Sequence, residues 1–226
     1  MKNKLIVIEG TDCSGKETQS NLLIEKLHNT GINAMKMCFP MYNTPTGKIV
    51  GGPYLGKEYI CSSWFPETAA NVDAIAASYY YAADRRYNKN KIDEMLNNGA
   101  TVVLDRYVES NMAHQGGKIK DVDQRHKMYE KLEILEYEIS ELKKPDLIIF
   151  LYMPYEYALK LRQGREEKAD GHESSKEHLV AAEKSYLELA SLYNFKIVEC
   201  VKNASIRTIE DIGEEVFTIV SEYLNQ

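Results

Sequence analysis

Cysteine is scarce in this chain, and Cys13, Cys38, Cys61 and Cys200 are scattered without a C-x-x-C pair. Neither a disulfide framework nor a cysteine metal site is expected, and a reducing cytoplasm is the natural setting. Long apolar runs are also missing. After the basic Met1-Lys2-Asn3-Lys4 the hydrophobic stretch extends only from Leu5 to Ile8, too short for a signal peptide or a membrane span. Positive charge is not in surplus: 28 Lys and Arg against 34 Asp and Glu give a net charge of −6, which argues against a nucleic-acid partner. No internal repeat or low-complexity tract occurs. What remains is an ordinary globular composition, 44% apolar and 27% charged over 226 residues. A chain of this length folds as one domain burying about 70% of its unfolded surface, so residues 1–226 are read as a single unit.

The most informative stretch comes early. An apolar strand, Leu5-Ile6-Val7-Ile8, runs into Glu9 and then Gly10-Thr11-Asp12-Cys13-Ser14-Gly15-Lys16-Glu17-Thr18. Two glycines with four residues between them, followed by lysine at a helix start, form a phosphate-binding loop. Its backbone N–H groups make an anion nest, Lys16 brings a mobile charge, and the helix presents its positive dipole end. A nucleoside triphosphate is the expected ligand. Glu17 stands where a hydroxyl would normally meet Mg²⁺, and Thr18 lies about 100° further round the helix.

Apolar strands are also expected at 34–39, 101–104, 147–152 and 195–201, with helical periodicity at 16–29, 69–97, 123–143, 154–163, 176–193 and 206–224. This alternation predicts an α/β fold of three layers, with a parallel, five-stranded sheet flanked by helices. Residues 44–66 hold four glycines and three prolines and read as a loop with a short helix on the ligand side. Residues 163–176 are almost wholly polar and cannot be buried.

Two further clusters carry chemistry. Asp105-Arg106-Tyr107 follows the strand 101–104, at the sheet end where open α/β sheets bind ligands. A carboxylate there suits Mg²⁺, and a guanidinium suits phosphate oxygens. Tyr79-Tyr80-Tyr81 precedes Arg85 on a helix. Tyr81 and Arg85 share a face, where a ring can stack on a base while the guanidinium donates to its edge, although an aromatic stripe by itself is more often core than binding site.

With Ile8-Glu9-Gly10-Thr11-Asp12, Gly15-Lys16, Phe39-Pro40, Tyr81-Ala82-Ala83-Asp84-Arg85, Asp105-Arg106-Tyr107-Val108-Glu109-Ser110, Ala113-His114-Gln115-Gly116 and Pro145-Asp146-Leu147 in this order, the chain resembles the thymidylate kinases over nearly its whole length. The resemblance implies transfer of the ATP γ-phosphoryl group to dTMP, giving dTDP and ADP, by a nucleoside monophosphate kinase that uses Mg²⁺ and forms a homodimer. It assigns Asp12 to the 3′-hydroxyl of the sugar, Tyr81 to stacking on thymine, Arg85 to thymine O4, and Asn111 or Gln115 to the remaining polar edge. Phe39 walls the base pocket, Tyr42 reaches phosphate, and Ser110 and His114 border the nucleotide. Arg106 contacts both phosphates, and Asp105 holds the metal. A mobile lid is implied at about 160–175. No arginine occupies the phosphate loop, so Arg162 or Arg165 must bring a cation from the lid.

This chain departs from the family pattern at Glu17, a candidate metal ligand in its own right, at Met41, where relatives place an arginine, at His114 beside the sugar, and in the acidic lid motif. Two other readings compete: a deoxynucleoside kinase, in which Asp105 serves as base toward a 5′-hydroxyl, and a nucleotide-dependent switch without acceptor. The switch is poorly served, because Asn88-Lys89-Asn90-Lys91 ends in lysine where guanine recognition wants aspartate.

Overall fold

A computed structural model describes residues 3–162 and 175–225. Its sheet is built from β1 (Leu5–Gly10), β2 (Ala34–Cys38), β3 (Thr101–Asp105), β4 (Leu147–Tyr152) and β5 (Lys196–Glu199), in the order β2-β3-β1-β4-β5, all parallel. The expected five parallel strands are present. Strand β1 is buried at every residue, as a central strand with helices on both faces must be. Its side chains alternate between two cores: Leu5 and Val7 join Val102, Leu104 and Phe150 on one side, while Ile6 and Ile8 join Leu23, Leu27, Val103 and Val216 on the other.

Around the sheet lie α1 (Lys16–Asn29), α2 (Pro45–Ile49), α3 (Ala74–Asn97), α4 (Val108–Gly116), α5 (Val122–Glu133), α6 (Tyr155–Arg162), α7 (Lys176–Leu192) and α8 (Ile209–Leu224). A small antiparallel ribbon, β6 (Val201–Lys202) with β7 (Ser205–Ile206), precedes α8.

Several boundaries differ from the periodicity reading. Helix α3 begins at Ala74 rather than at residue 69, because Asp73 caps it and accepts the Ala76 N–H at 2.9 Å. The expected helix 123–143 stops short. After α5 it widens into a π-helical turn, Ile134–Ile139, and ends at Ser140 before Glu141, which sits at φ 52°. Strand β5 is shorter than 195–201, and α8 starts at Ile209 behind its Thr208 cap rather than at residue 206. Residues 44–66 do hold a short helix, α2, continued by a second π-helical turn, Val50–Tyr54. Helix α4 had no periodicity to announce it.

The order of strands fixes where a ligand sits. The chain leaves β1 toward β2 on one side and returns to β4 on the other, so a crevice opens beyond the carboxyl ends of β1 and β3. Ile8 pairs in register with Asp105, and the Arg106 N–H donates to the Ile8 carbonyl at 3.1 Å. The loop after β1 and the Asp105-Arg106 pair are thereby neighbours.

Candidate active site

The loop between β1 and α1 needs its glycines for different reasons. Gly15, which caps α1, has φ 80°, a left-handed conformation that side chains with a Cβ rarely adopt. At Gly10 the constraint is space: a Cβ would stand 2.9 Å from the Leu151 carbonyl oxygen of β4. Lys16 folds back over this loop, donating to the carbonyls of Gly10 at 3.1 Å and Thr11 at 2.8 Å. Burial, and next the nearby Arg106, lower its pKa to about 8. Thr11 ties the loop to the residue just past the neighbouring strand β4, donating to the Met153 carbonyl at 2.7 Å.

Two cavities meet at this sheet end. One, of about 640 Å³ with its open mouth, is lined by Asp12, Cys13, Gly15, Lys16, Glu17, Thr18, Asp105 and Arg106. The second, about 600 Å³ with its open mouth, is lined by Phe39, Pro40, Tyr42, Leu55, Tyr81, Arg85, Tyr107, Ser110, Asn111 and His114, and also by Asp12 and Arg106. Asp12 and Arg106 therefore belong to both. Arg106 Nη2 lies 3.7 Å from Asp12 Oδ1, and Arg162 Nη2, at the end of α6, lies 4.0 Å from Asp12 Oδ2. Arg106 holds a left-handed φ of 66°, a conformation that costs a non-glycine residue about 1–3 kcal/mol and that clusters at functional sites.

Opposite these charges the second cavity is a base-sized slot. Tyr81 lines it, and so does Arg85, which is 2% exposed and held by a residue that sequence reasoning missed. Glu136, fully buried in the π-helical turn, accepts from Arg85 Nε at 2.9 Å and from Arg85 Nη2, and it also accepts from Asn111 Nδ2 at 3.0 Å. Arg85 Nη1 donates to the Tyr107 carbonyl at 3.2 Å. Burial opposes the charge on Arg85, but Glu136 outweighs it and holds the guanidinium above its ordinary pKa. Nearby Glu109, which accepts from Tyr137 Oη at 2.6 Å, is pushed up to about 7 by burial and then by Glu9.

The loop after β2 is fastened by buried Asp84. It accepts from the Met41 N–H at 2.8 Å, from Thr46 Oγ1 at 2.9 Å and from Asn88 Nδ2 at 3.1 Å. This places Phe39 and Tyr42 on the cavity wall, whereas the Met41 side chain packs against the core. His114 faces the cavity and lies against His178 of α7, Nδ1 to Nε2 at 3.2 Å.

Gln115 sits apart from the other residues named for the nucleotide. It is fully buried but not on the cavity wall, and neither of its amide atoms meets a hydrogen-bond partner among the described residues. Asn111, one turn earlier on α4, occupies the wall instead. Arg165 and most of the lid expected at 160–175 lie outside the described residues; Arg162 is described and comes to Asp12.

The donor set fits a hard cation. Asp105 is buried, Glu17 and Thr18 are exposed in the first turn of α1, and all three border the loop cavity. Among the described residues no group of three or more His, Cys, Asp or Glu side chains forms a cage. One or two carboxylates completed by phosphate and water are what Mg²⁺ usually takes in phosphoryl-transfer sites. Among the same residues, no helix is long and apolar enough to cross a membrane.

Comparison with known proteins bears on this site. The profile of the thymidylate kinase family matches residues 8–212. A probable thymidylate kinase of Methanocaldococcus jannaschii is 32% identical over 214 residues, covering 95% of this chain and 94% of that protein. The human thymidylate kinase is 31% identical over 172 residues, 76% of this chain and 68% of its own. That of Plasmodium falciparum is 33% identical over 157 residues, 70% of this chain and 65% of that protein, just under two thirds of its length. A solved thymidylate kinase structure from Candida albicans superposes with a TM-score of 0.73 at 24% identity, over 99% of this chain and 93% of that one, which is a likeness of fold.

Proposed function

The chain belongs to the thymidylate kinase family, and on that footing we propose that it transfers the γ-phosphoryl group of ATP to dTMP, releasing dTDP and ADP. The observation that carries this reading is the pair of cavities sharing Asp12 and Arg106. A phosphoryl group passing from a donor in the loop to an acceptor in the base-sized slot must cross that shared wall, and a guanidinium stands there.

ATP lies with its phosphates on the loop 10–18, and Lys16 meets the β- and γ-phosphates. Thymine enters between Phe39 and Tyr81, stacks on Tyr81, and turns its polar edge to Arg85 and Asn111, which Glu136 holds in one orientation. Arg85 keeps N–H groups beyond those engaged by Glu136 and Tyr107, so it can still donate to O4. Asp12 receives the sugar hydroxyl; Tyr42 and Ser110 border the phosphate side and His114 the sugar. A phosphate oxygen of dTMP then attacks the γ-phosphorus while the bond to the β,γ-bridging oxygen breaks and ADP leaves. Arg106 bridges acceptor and transferring groups, and Arg162 brings a second cation from the end of α6. Phosphate monoesters are largely dianionic at pH 7, so the acceptor needs no general base. Asp105, with the Glu17 carboxylate or water, would hold Mg²⁺, which would supply neutralisation of the phosphate oxygens.

A homodimer in the cytoplasm completes the proposal. Ile75, Tyr79, Ala83 and Tyr87, spaced four apart on α3, form an exposed apolar stripe suited to a second copy.

The test is ADP release with Mg-ATP against dTMP, dUMP, dGMP, dCMP, UMP, thymidine and no acceptor. Strong preference for dTMP is expected. Preference for thymidine would move the activity to a nucleoside kinase, and acceptor-independent release would replace the transferase by a switch.

A further inference from the structure

Glu9 has no part in the chemistry above, yet its carboxylate accepts hydrogen bonds from two backbone amides and two hydroxyls. It is fully buried at the end of β1, between the phosphate loop and α4. Its Oε1 accepts the N–H groups of Tyr107 at 2.8 Å and Ser110 at 3.1 Å, and its Oε2 accepts from Ser110 Oγ at 2.6 Å and Tyr186 Oη at 3.0 Å. The two hydroxyls are themselves 2.9 Å apart, and Arg106 Nη1 donates to Ser110 Oγ at 3.4 Å. A carboxylate that only accepts is the group able to satisfy so many donors at once.

The arrangement encloses Arg106. Its own N–H is held by Ile8, the residue before Glu9; the next residue, Tyr107, is held by Glu9 itself; and its side chain rests on a hydroxyl held by Glu9. Tyr186 extends the cluster to α7 and, through an edge-on ring contact, to His114 on the acceptor cavity. We infer that Glu9 is a positioning residue for phosphoryl transfer, fixing Arg106 at the boundary of the two cavities through Ser110 and the first turn of α4.

The inference rests on the thymidylate kinase reading. A carboxylate that merely held the fold together would be felt in stability and in both Michaelis constants. One that aims Arg106 is felt in turnover, and only while Arg106 is present. Glu9→Gln keeps the shape and one oxygen for the two amides, but puts a donor where Ser110 and Tyr186 need an acceptor.

The experiment is a double-mutant cycle in dTDP formation: wild type, Glu9→Gln, Arg106→Ala and the pair, with thermal midpoints alongside. Glu9→Gln is expected to lower kcat by about tenfold or more with the KM for ATP within about twofold, and to change kcat by less than about threefold when Arg106 is already alanine. Equal fold losses in both backgrounds, or a folded Glu9→Gln protein within about threefold of wild-type kcat, would overturn the inference. If Glu9→Gln does not fold, Ser110→Ala and Tyr186→Phe, each deleting one hydroxyl, enter the same cycle under the same criteria. Wild-type protein that makes no dTDP would overturn the underlying reading and the inference with it; an active wild type with an additive cycle would overturn the inference alone.

Discussion

Without the Glu136 carboxylate, the Arg85 guanidinium would be left buried with a single carbonyl for company. Removing one partner of a buried ion pair typically costs about 3–5 kcal/mol, because the remaining charge is stranded out of water. Glu136→Ala is therefore expected to lower the unfolding free energy read from a urea titration by that order, and any folded fraction should show a raised KM for dTMP with the KM for ATP nearly unchanged. A variant as stable as wild type would mean that Arg85 finds another anion. Lys16 gives a second expectation at this scale. With its pKa lowered to about 8, free protein loses the ammonium charge as pH rises past that value, whereas the phosphate complex keeps it. ATP affinity should fall above pH 8, by at most about tenfold per pH unit, with proton uptake on binding. In Lys16→Arg the same titration should be flat, since guanidinium does not deprotonate in this range. Calorimetry with a non-hydrolysable ATP analogue from pH 7 to 9.5 reads both; an affinity independent of pH in the wild type would refute the lowered pKa. Neither Glu136 nor Glu9 could have been picked from the sequence as a partner of Arg85 or Arg106. Each is separated from the residues it holds by many positions, and a carboxylate in an apolar strand or helix pattern looks the same whether it faces water or buried donors.

At the scale of elements, legibility followed how local the signal was. The strand–loop–helix around Lys16 announces itself because glycine spacing, the apolar run and the helical pattern lie within one short stretch, and α1 came out at its expected bounds, Lys16–Asn29. Helix α4 was invisible as a helix: Val108, Met112 and Ala113 are buried among Glu109, Asn111 and Gln115, so burial there does not separate apolar from polar. The end of α5 failed for another reason. Periodicity assumes 3.6 residues per turn, and the π-helical turn that swings Glu136 toward Arg85 breaks that count. The start of α3 is not legible, because residues 69–73 carry enough apolar side chains to extend the helical pattern backward, whereas Asp73 caps the helix at Ala74. Asp73→Ala removes the cap and should cost about 0.5–2 kcal/mol in a denaturation curve without altering the KM of either substrate. A loss much larger than this, or a change in dTMP binding, would mean that Asp73 orders residues 68–72 as well.

Over the whole molecule, the parallel direction of the five strands is legible from the alternation of strand and helix signals, whereas their order, β2-β3-β1-β4-β5, depends on long-range pairing and is seen only in the structure. Burial of an apolar stripe by a second chain cannot be read that way, because a lone helix shows the same pattern whether its partner is its own core or another copy. The exposed residues on α3 make the homodimer testable. Tyr79→Lys with Tyr87→Lys places charge in the stripe, and sedimentation should then report one-chain mass where the wild type reports two. Wild-type protein that sediments as a single chain at micromolar concentration would refute the assembly.

The central place of β1 has a consequence for how the molecule is made. Leu5 of β1 finds its neighbour in Val102, and Ile6 finds its other neighbour in Leu147. At about 5–20 residues per second, a ribosome needs roughly 5–20 s after releasing the first strand to deliver the next one that pairs with it. Throughout that interval Leu5-Ile6-Val7-Ile8 is a nascent apolar segment with both edges open. The strand that ends most protected begins as the one most in need of shelter.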